Sequence, residues 1–348
     1  MKVITCASFY GSGSSALTDL VAEYSNVKDM TDFEFSILHD MYGIRDLEYY
    51  LVENHNRHNS GHALKRFEKL LKFNGGNALS KRYSRFIPKK EYNRICEQYI
   101  DELIDFKYLG WWFADLYDKG PVNYYFYQLI NKLLKKITFG SQSIMKNEVI
   151  YCSQPSEEKF LSATKRFMKN FLSLLNDEDK EYIEIDQLFP STNIDKYVRY
   201  IDEEYTVFVI DRDPRDIYLL NKYVWDDTVC PKEVNSFCDW FIYTRNNAKQ
   251  KNTNDKVVFL QFEDLIYKYN ESLSIIEDKT GLVSSNHCNQ FKKFNPKRSI
   301  ANTRLWEKYN CEEEIQEIEH RLKEYLYDYS LVKTDDIVGL DCEECNQF

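Results

Sequence analysis

The N-terminus constrains the fold most. Val3 to Phe9 is a short apolar run, and it ends in Tyr10-Gly-Ser-Gly-Ser-Ser15. Ala16, Leu17, Leu20 and Val21 then recur at helical spacing. That order is strand, glycine loop, helix. Backbone N–H groups at such a helix start point outward, and the helix dipole favours an anion there. Gly11 and Gly13 carry no side chain to hold a phosphate off the backbone, and Ser12, Ser14 and Ser15 add hydroxyl donors. The loop is not a Walker A sequence, because no Lys follows its last Gly. The plainer alternative is a Gly/Ser turn that only caps a helix. The strand–loop–helix context favours the anion cradle.

The rest of the chain extends this opening. Phe33 to Leu38 alternates like a second strand. From about 45 to 180 the pattern is largely helical, with aromatic-rich stretches at Tyr92–Phe106 and Tyr124–Ile137. Tyr182–Asp186 reads as a short strand. Thr206–Ile210 and Lys256–Phe262 read as buried parallel strands, and Glu312–Leu326 as a charged helix. Strands alternating with helices imply a mainly parallel sheet with flanking helices. The expected organisation is one α/β domain over 1–348. It has a large helical insertion at about 45–180 on the acceptor side and a short acidic tail at about 334–348.

Composition excludes several classes. Lys and Arg number 46 against 56 Asp and Glu, a net charge of −10. A general nucleic-acid binder needs the opposite balance, so no nucleic-acid partner is expected. No apolar run reaches 18 residues, so no transmembrane helix is expected. Nine scattered cysteines, an odd number, suit reduced thiols and a cytoplasmic location. Cys342 and Cys345 form a lone CxxC without the second ligand pair of a structural zinc site, and read as exposed thiols on the tail. The 27 Tyr and 22 Phe fit either a core or a carbohydrate or nucleoside site.

A second anion-binding feature sits at Asp211-Arg-Asp-Pro-Arg-Asp216, directly after the apolar run Val207–Ile210. Ligands bind at the C-terminal ends of strands in open α/β sheets, and the planar Arg fork suits phosphate. The alternative is an Arg–Asp knot that only holds the loop.

With this segment the chain resembles sulfotransferases that use 3'-phosphoadenosine-5'-phosphosulfate (PAPS). Gly11–Leu17 is similar to the family's 5'-phosphosulfate loop. Val207–Tyr218 is similar to the 3'-phosphate strand and its RDPRD-type turn. Phe259–Leu265 resembles a later strand with a YEDL ending, and Phe294–Asn302, running on to Trp306, resembles the basic loop that closes over the nucleotide. Glu34 to Phe67 is loosely similar to bacterial relatives that modify surface glycans. The resemblance implies that Ser12–Ser15 hold the 5'-phosphosulfate and that Arg212 grips the 3'-phosphate. It also implies that Lys297 or Arg298, with Asn302, completes the site. PAPS would be the sulfuryl donor, and no metal would be required. Two positions depart from the family pattern. The loop Lys or Arg aligns with Gly11, and the 3'-phosphate Ser aligns with Leu220, where the adjacent Asn221 is a substitute. Lys222, Lys297, Arg298 and Arg304 are candidates for the missing cation.

Transfer also needs a general base. In many members a His follows the strand before the Arg turn. Here that strand is Tyr-Ile-Glu-Ile-Asp186, so Asp186 is the carboxylate nearest the expected place. Glu34 and His39 are rivals, and His39 has the best intrinsic pKa. His55, His58 and His62 read as a polar acceptor-side loop, since no carboxylate or Cys is spaced to complete a metal site. Residues 65–90 hold nine basic residues and one acid. They are either a solvated face or a dock for an acidic glycan. A carbohydrate hydroxyl is the expected acceptor. The alternatives are a P-loop-type kinase using Asp211 as a Walker-B-like carboxylate, and a non-catalytic nucleotide-binding protein.

Overall fold

The computed structural model describes residues 1–77, 79–112, 114, 118–144, 148–246, 254–332 and 337–341. Cys342, Cys345 and most of the expected tail lie outside the described residues. The chain forms two compact units. One comprises Met1–Ser36, Glu178–Val198 and Glu203–Phe348; the other comprises Ile37–Asp177 and Arg199–Asp202.

Among the described residues, seven strands run in chain order: β1 (Lys2–Cys6), β2 (Val27–Lys28), β3 (Phe106–Gly110), β4 (Glu148–Cys152), β5 (Tyr182–Asp186), β6 (Glu204–Asp211) and β7 (Val257–Gln261). The first unit is α/β. Its sheet runs β2-β5-β1-β6-β7, and every pairing is parallel. The central strands are apolar on both faces because helices cover both. Ile4, Cys6, Phe208 and Ile210 share a core with Leu17 and Leu20 of the Ser14–Val21 helix and with Leu265 and Ile276. A second core gathers Leu219, Phe237, Phe241, Leu305 and Ile318. The register sets Cys6 opposite Asp186 on one side and Phe208 on the other, so β6 runs three residues past β1, to Asp211.

The second unit packs the helices Ser60–Gly75, Lys89–Leu103 and Glu157–Leu175 around an aromatic core. Tyr99 stacks on Phe167 with ring centroids 4.7 Å apart, and its hydroxyl meets Thr164 Oγ1 at 2.7 Å. Tyr83, Phe67, Phe160 and Phe171 are also fully buried. Part of the aromatic surplus is therefore core.

Two expectations are corrected. Phe33–Leu38 is not a strand. Only Glu34 bridges to Asp186, with Phe35 N donating to Asp186 O, while Ile37 and Leu38 accept from Ile44 and Arg45. The strand beside β5 is the two-residue β2. The insertion is also not all helical. β3 and β4 form an antiparallel pair, and the Lys89 helix ends at Leu103, before Phe106 starts β3.

Candidate nucleotide and transfer site

β1 delivers the glycine loop to the Ser14–Val21 helix as expected. Gly11 and Gly13 have φ of 74° and 88°, the left-handed region that favours glycine. Space makes the same demand. A Cβ on Gly13 would stand 2.6 Å from the Phe262 ring, and one on Gly11 would stand 2.9 Å from Trp225. No side chain caps the helix, and its first turn holds no acid. The N–H groups of Ser14 and Ser15 therefore lack intrahelical acceptors, and the dipole's positive end is open to an anion. Ser12 departs from expectation. It is fully buried, and both its N–H and its hydroxyl donate to the Phe9 carbonyl, at 3.1 and 2.8 Å. It shapes the loop and offers nothing to a ligand. The cradle narrows to Gly13, Ser14 and Ser15.

Asp186 ends β5 beside this loop, near the Ser14 side chain, which favours its charged form. Burial, with the charge of Glu34 adding to it, pushes the Asp186 carboxyl up to about 7. Its Oδ1 is buried and has no hydrogen-bond partner among the described residues. Glu34 is exposed and joined to Asp186 through the backbone bridge. Glu184 sits two residues back on the same strand face, where burial and the charge of Asp186 push its carboxyl well above the usual range. His39 belongs to the second unit and is half-buried.

The β6 end separates the two arginines. Arg215 is a structural knot. Its guanidinium binds Asp213 at 3.0 and 2.7 Å and Glu319 at 2.7 Å, and lies 3.7 Å over the Trp306 ring. Arg212 is 3% exposed and far less committed. One of its amino groups donates to the Asn302 carbonyl, and its Nε is buried without a hydrogen-bond partner among the described residues. Its guanidinium lies 4.3 Å over the Phe262 ring. That ring is the one Gly13 approaches, so a single aromatic side chain separates the loop from Arg212. Asp216 and Glu263 lie nearby, and burial pushes both carboxyls up, Glu263 well above the usual carboxylate range. Asp216 accepts from Leu305 N at 2.8 Å and Arg304 N at 3.2 Å, and burial raises its carboxyl to about 7 although Arg212 opposes the shift. Asp211 accepts from the Arg245 guanidinium on both oxygens, at 2.8 to 3.1 Å. A carboxylate so committed is a poor magnesium ligand.

The remaining expected residues divide. Asn302 meets Arg212, and its own Oδ1 is buried without a partner among the described residues. Asn221 is corrected. It is fully buried, its Oδ1 accepts from Val229 N and Cys230 N, and its Nδ2 donates to Cys230 O, so it holds the 227–230 turn. Lys297 Nζ pairs with Asp341 at 2.6 Å. Arg298 is exposed and donates to Lys293 O. Among the other cations, Lys222 is tied to Glu314 at 2.5 Å. Arg304 pairs with Glu307 yet keeps a buried Nε with no partner among the described residues.

No family model and no curated protein matches the chain. Solved structures do. A sulfotransferase domain from the Synechococcus PCC 7002 olefin synthase is 12% identical with a TM-score of 0.41, over 92% of this chain and 93% of that one. A sulfotransferase domain from the curacin biosynthetic pathway is 11% identical with a TM-score of 0.40, over 94% and 99%. Retinol dehydratase, in complex with androsterone and the inactive cofactor PAP, is 12% identical with a TM-score of 0.34, over 96% and 84%. Likeness at this level carries no residue's role across, and the site stands on its own geometry.

Sequence reasoning missed three site residues. Phe262 reads as an ordinary strand residue, although it sits at the end of an apolar run, where strand residues face ligands. Glu263 draws no role within the YEDL-type ending, yet it is buried and accepts from Asp213 N at 3.0 Å. Glu23 is fully buried. It accepts from His287 at 2.8 Å and from the N–H groups of Phe291, Lys293 and Phe294, so it anchors the segment leading into the Asn295–Asn302 loop. No local pattern marks it, because its partners lie more than 260 residues away.

Proposed function

We propose that the protein transfers the sulfuryl group of PAPS to a carbohydrate hydroxyl. One observation carries the reading: the uncapped glycine loop and the under-committed Arg212 flank the same Phe262 ring. That pair of anion sites suits a nucleotide bearing acidic groups at both its 5' and 3' positions. The loop N–H groups would take the 5'-phosphosulfate. Arg212 Nε would take the 3'-phosphate, with Arg304 beside it.

Transfer breaks the bond between sulfur and the bridging phosphate oxygen and forms a bond from sulfur to the acceptor oxygen. The bridging oxygen keeps the electron pair, and the helix N-terminus stabilises the charge that develops there. The acceptor proton would go to Asp186. A carboxyl raised to about 7 is well matched to accept a proton near neutral pH. Its nearness to Ser14, which lines the cradle, favours it over Glu34 and His39. The commitment of Asp211 to Arg245 weighs against a magnesium-dependent kinase.

Support for a sugar acceptor comes from the second unit alone. It holds a cleft of about 590 Å³ lined by Tyr108, Trp111, Trp112, Arg57, His58 and Lys65. Flat aromatic faces with polar and cationic neighbours suit a sugar that carries acidic groups. All seven described cysteines are free thiols, which fits a reducing cytoplasm. The test is incubation with ³⁵S-labelled PAPS and a panel of neutral and acidic polysaccharides. Label should enter at least one polysaccharide, and Arg212→Ala should abolish it. Bisphosphate binding without transfer to any acceptor would favour a non-catalytic nucleotide-binding protein.

A further inference from the structure

The Pro121–Ile137 helix of the second unit half-buries Tyr127, Ile130 and Leu134 on one side and leaves a second apolar stripe in solvent on the other. Val122, Phe126, Leu129, Leu133 and Ile137 are 51–81% exposed. At 3.6 residues per turn, these five fall within an arc of about 80°. Phe139, just past the helix, is 99% exposed. The helix's one buried residue is polar: Asn131, on the opposite side, accepts from Ser143 at 2.5 Å. A surface helix ordinarily buries its apolar stripe and wets its polar one. A contiguous apolar stripe left in water marks a docking surface.

Charge identifies the occupant. Residues 119–147 contain five lysines and no acid, in a chain of net charge −10. Lys132 and Lys136 border the apolar stripe on one side, and Lys135 lies on the polar side. Among the described residues, none of these three makes an ion pair. A second copy of the helix has no acid to offer these lysines, whereas an anionic lipid surface meets both of those that border the stripe. Tyr124, Tyr125, Phe126 and Tyr127 crowd the first turns, and aromatic rings of that kind settle at the headgroup boundary. Among the described residues, no helix is long and apolar enough to cross a membrane.

We propose that this helix lies in the plane of an anionic phospholipid membrane, with the apolar stripe in the acyl boundary and Lys132 and Lys136 among the headgroups. Each lysine near such a surface is worth roughly fivefold in partitioning, so the two that border the stripe, Lys132 and Lys136, are together worth about twenty-five-fold.

The test is flotation of the full-length protein with phosphatidylcholine vesicles, with and without phosphatidylglycerol. The protein should float with the anionic vesicles only, and high salt should release it. Lys132→Gln/Lys136→Gln should weaken binding about twenty-five-fold, and Leu129→Glu/Leu133→Glu should abolish it. All of these side chains are exposed, and the circular dichroism melts should match wild type. Failure of the wild type to float with anionic vesicles would overturn the proposal. So would undiminished flotation of the Leu129→Glu/Leu133→Glu variant, or a dimer that this variant dissociates in the absence of any lipid binding. The readout is lipid binding, so it stands or falls independently of sulfuryl transfer.

Discussion

Asp186→Asn should make the protein more stable and less active. Asp186 is 7% exposed, and its carboxyl is raised from 3.8 to about 7, chiefly by burial and further by Glu34. A raised carboxyl pKa means that the folded state holds the proton more tightly than the unfolded chain. Below about pH 4 both states are protonated, and stability is undiminished. Between about 4 and 7 only the unfolded chain ionises, so stability falls as pH rises, and the loss is complete above about 7. Three units at 1.36 kcal/mol each make that loss about 4 kcal/mol. Asn keeps the shape and removes the charge. Urea unfolding should find variant and wild type equal near pH 4, with the variant gaining up to about 4 kcal/mol by pH 8. The same change removes the proposed base. Transfer should drop by about 10²- to 10⁴-fold, while bisphosphate affinity stays within a few-fold. Wild-type kcat/KM should rise with pH to a plateau above about 7. Parallel stability curves, or a variant that keeps full transfer, would refute this role for Asp186.

Other perturbations separate ligand-binding residues from structural ones. Gly13→Ala should cost about 1–2 kcal/mol for the left-handed backbone and also remove bisphosphate binding, because the new methyl meets Phe262. Gly120→Ala, at φ 85° with nothing within 4 Å, should carry a similar backbone cost and leave binding unchanged in the same calorimeter. Glu23→Ala orphans three backbone donors. It should cost about 3 kcal/mol in chemical unfolding and also weaken the bisphosphate by loosening the Asn295–Asn302 loop. Asn221→Ala should destabilise by about 2–3 kcal/mol with bisphosphate affinity unchanged, since that side chain serves its own turn.

Much of the α/β unit is legible in the sequence. Tyr182–Asp186 is a strand to the residue, and Thr206–Ile210 sits inside β6, because strands covered on both faces leave continuous apolar runs. Phe33–Leu38 misleads because it alternates without finding a partner ladder. β3 and β4 escape notice because they are short, half exposed and far apart in the chain, so their only signature is a long-range pairing. The site follows the same division. Gly13 and Arg212 announce themselves by position at strand ends. Which arginine of Arg-Asp-Pro-Arg is tied up depends on Glu319 and Trp306, about 100 residues later. Asn221 is misread for the mirror-image reason, since its partners are local but its burial is tertiary. Periodicity exposes the apolar stripe of the Pro121 helix, but only packing reveals that it faces outward.

The most direct test of the site is calorimetry with 3',5'-adenosine bisphosphate, ADP and ATP, with and without magnesium, on wild type and on Arg212→Ala. The bisphosphate should bind without metal and more tightly than either ADP or ATP, and Arg212→Ala should lose that binding. Magnesium-dependent binding of ATP, or a bisphosphate affinity indifferent to Arg212, would contradict the proposed site.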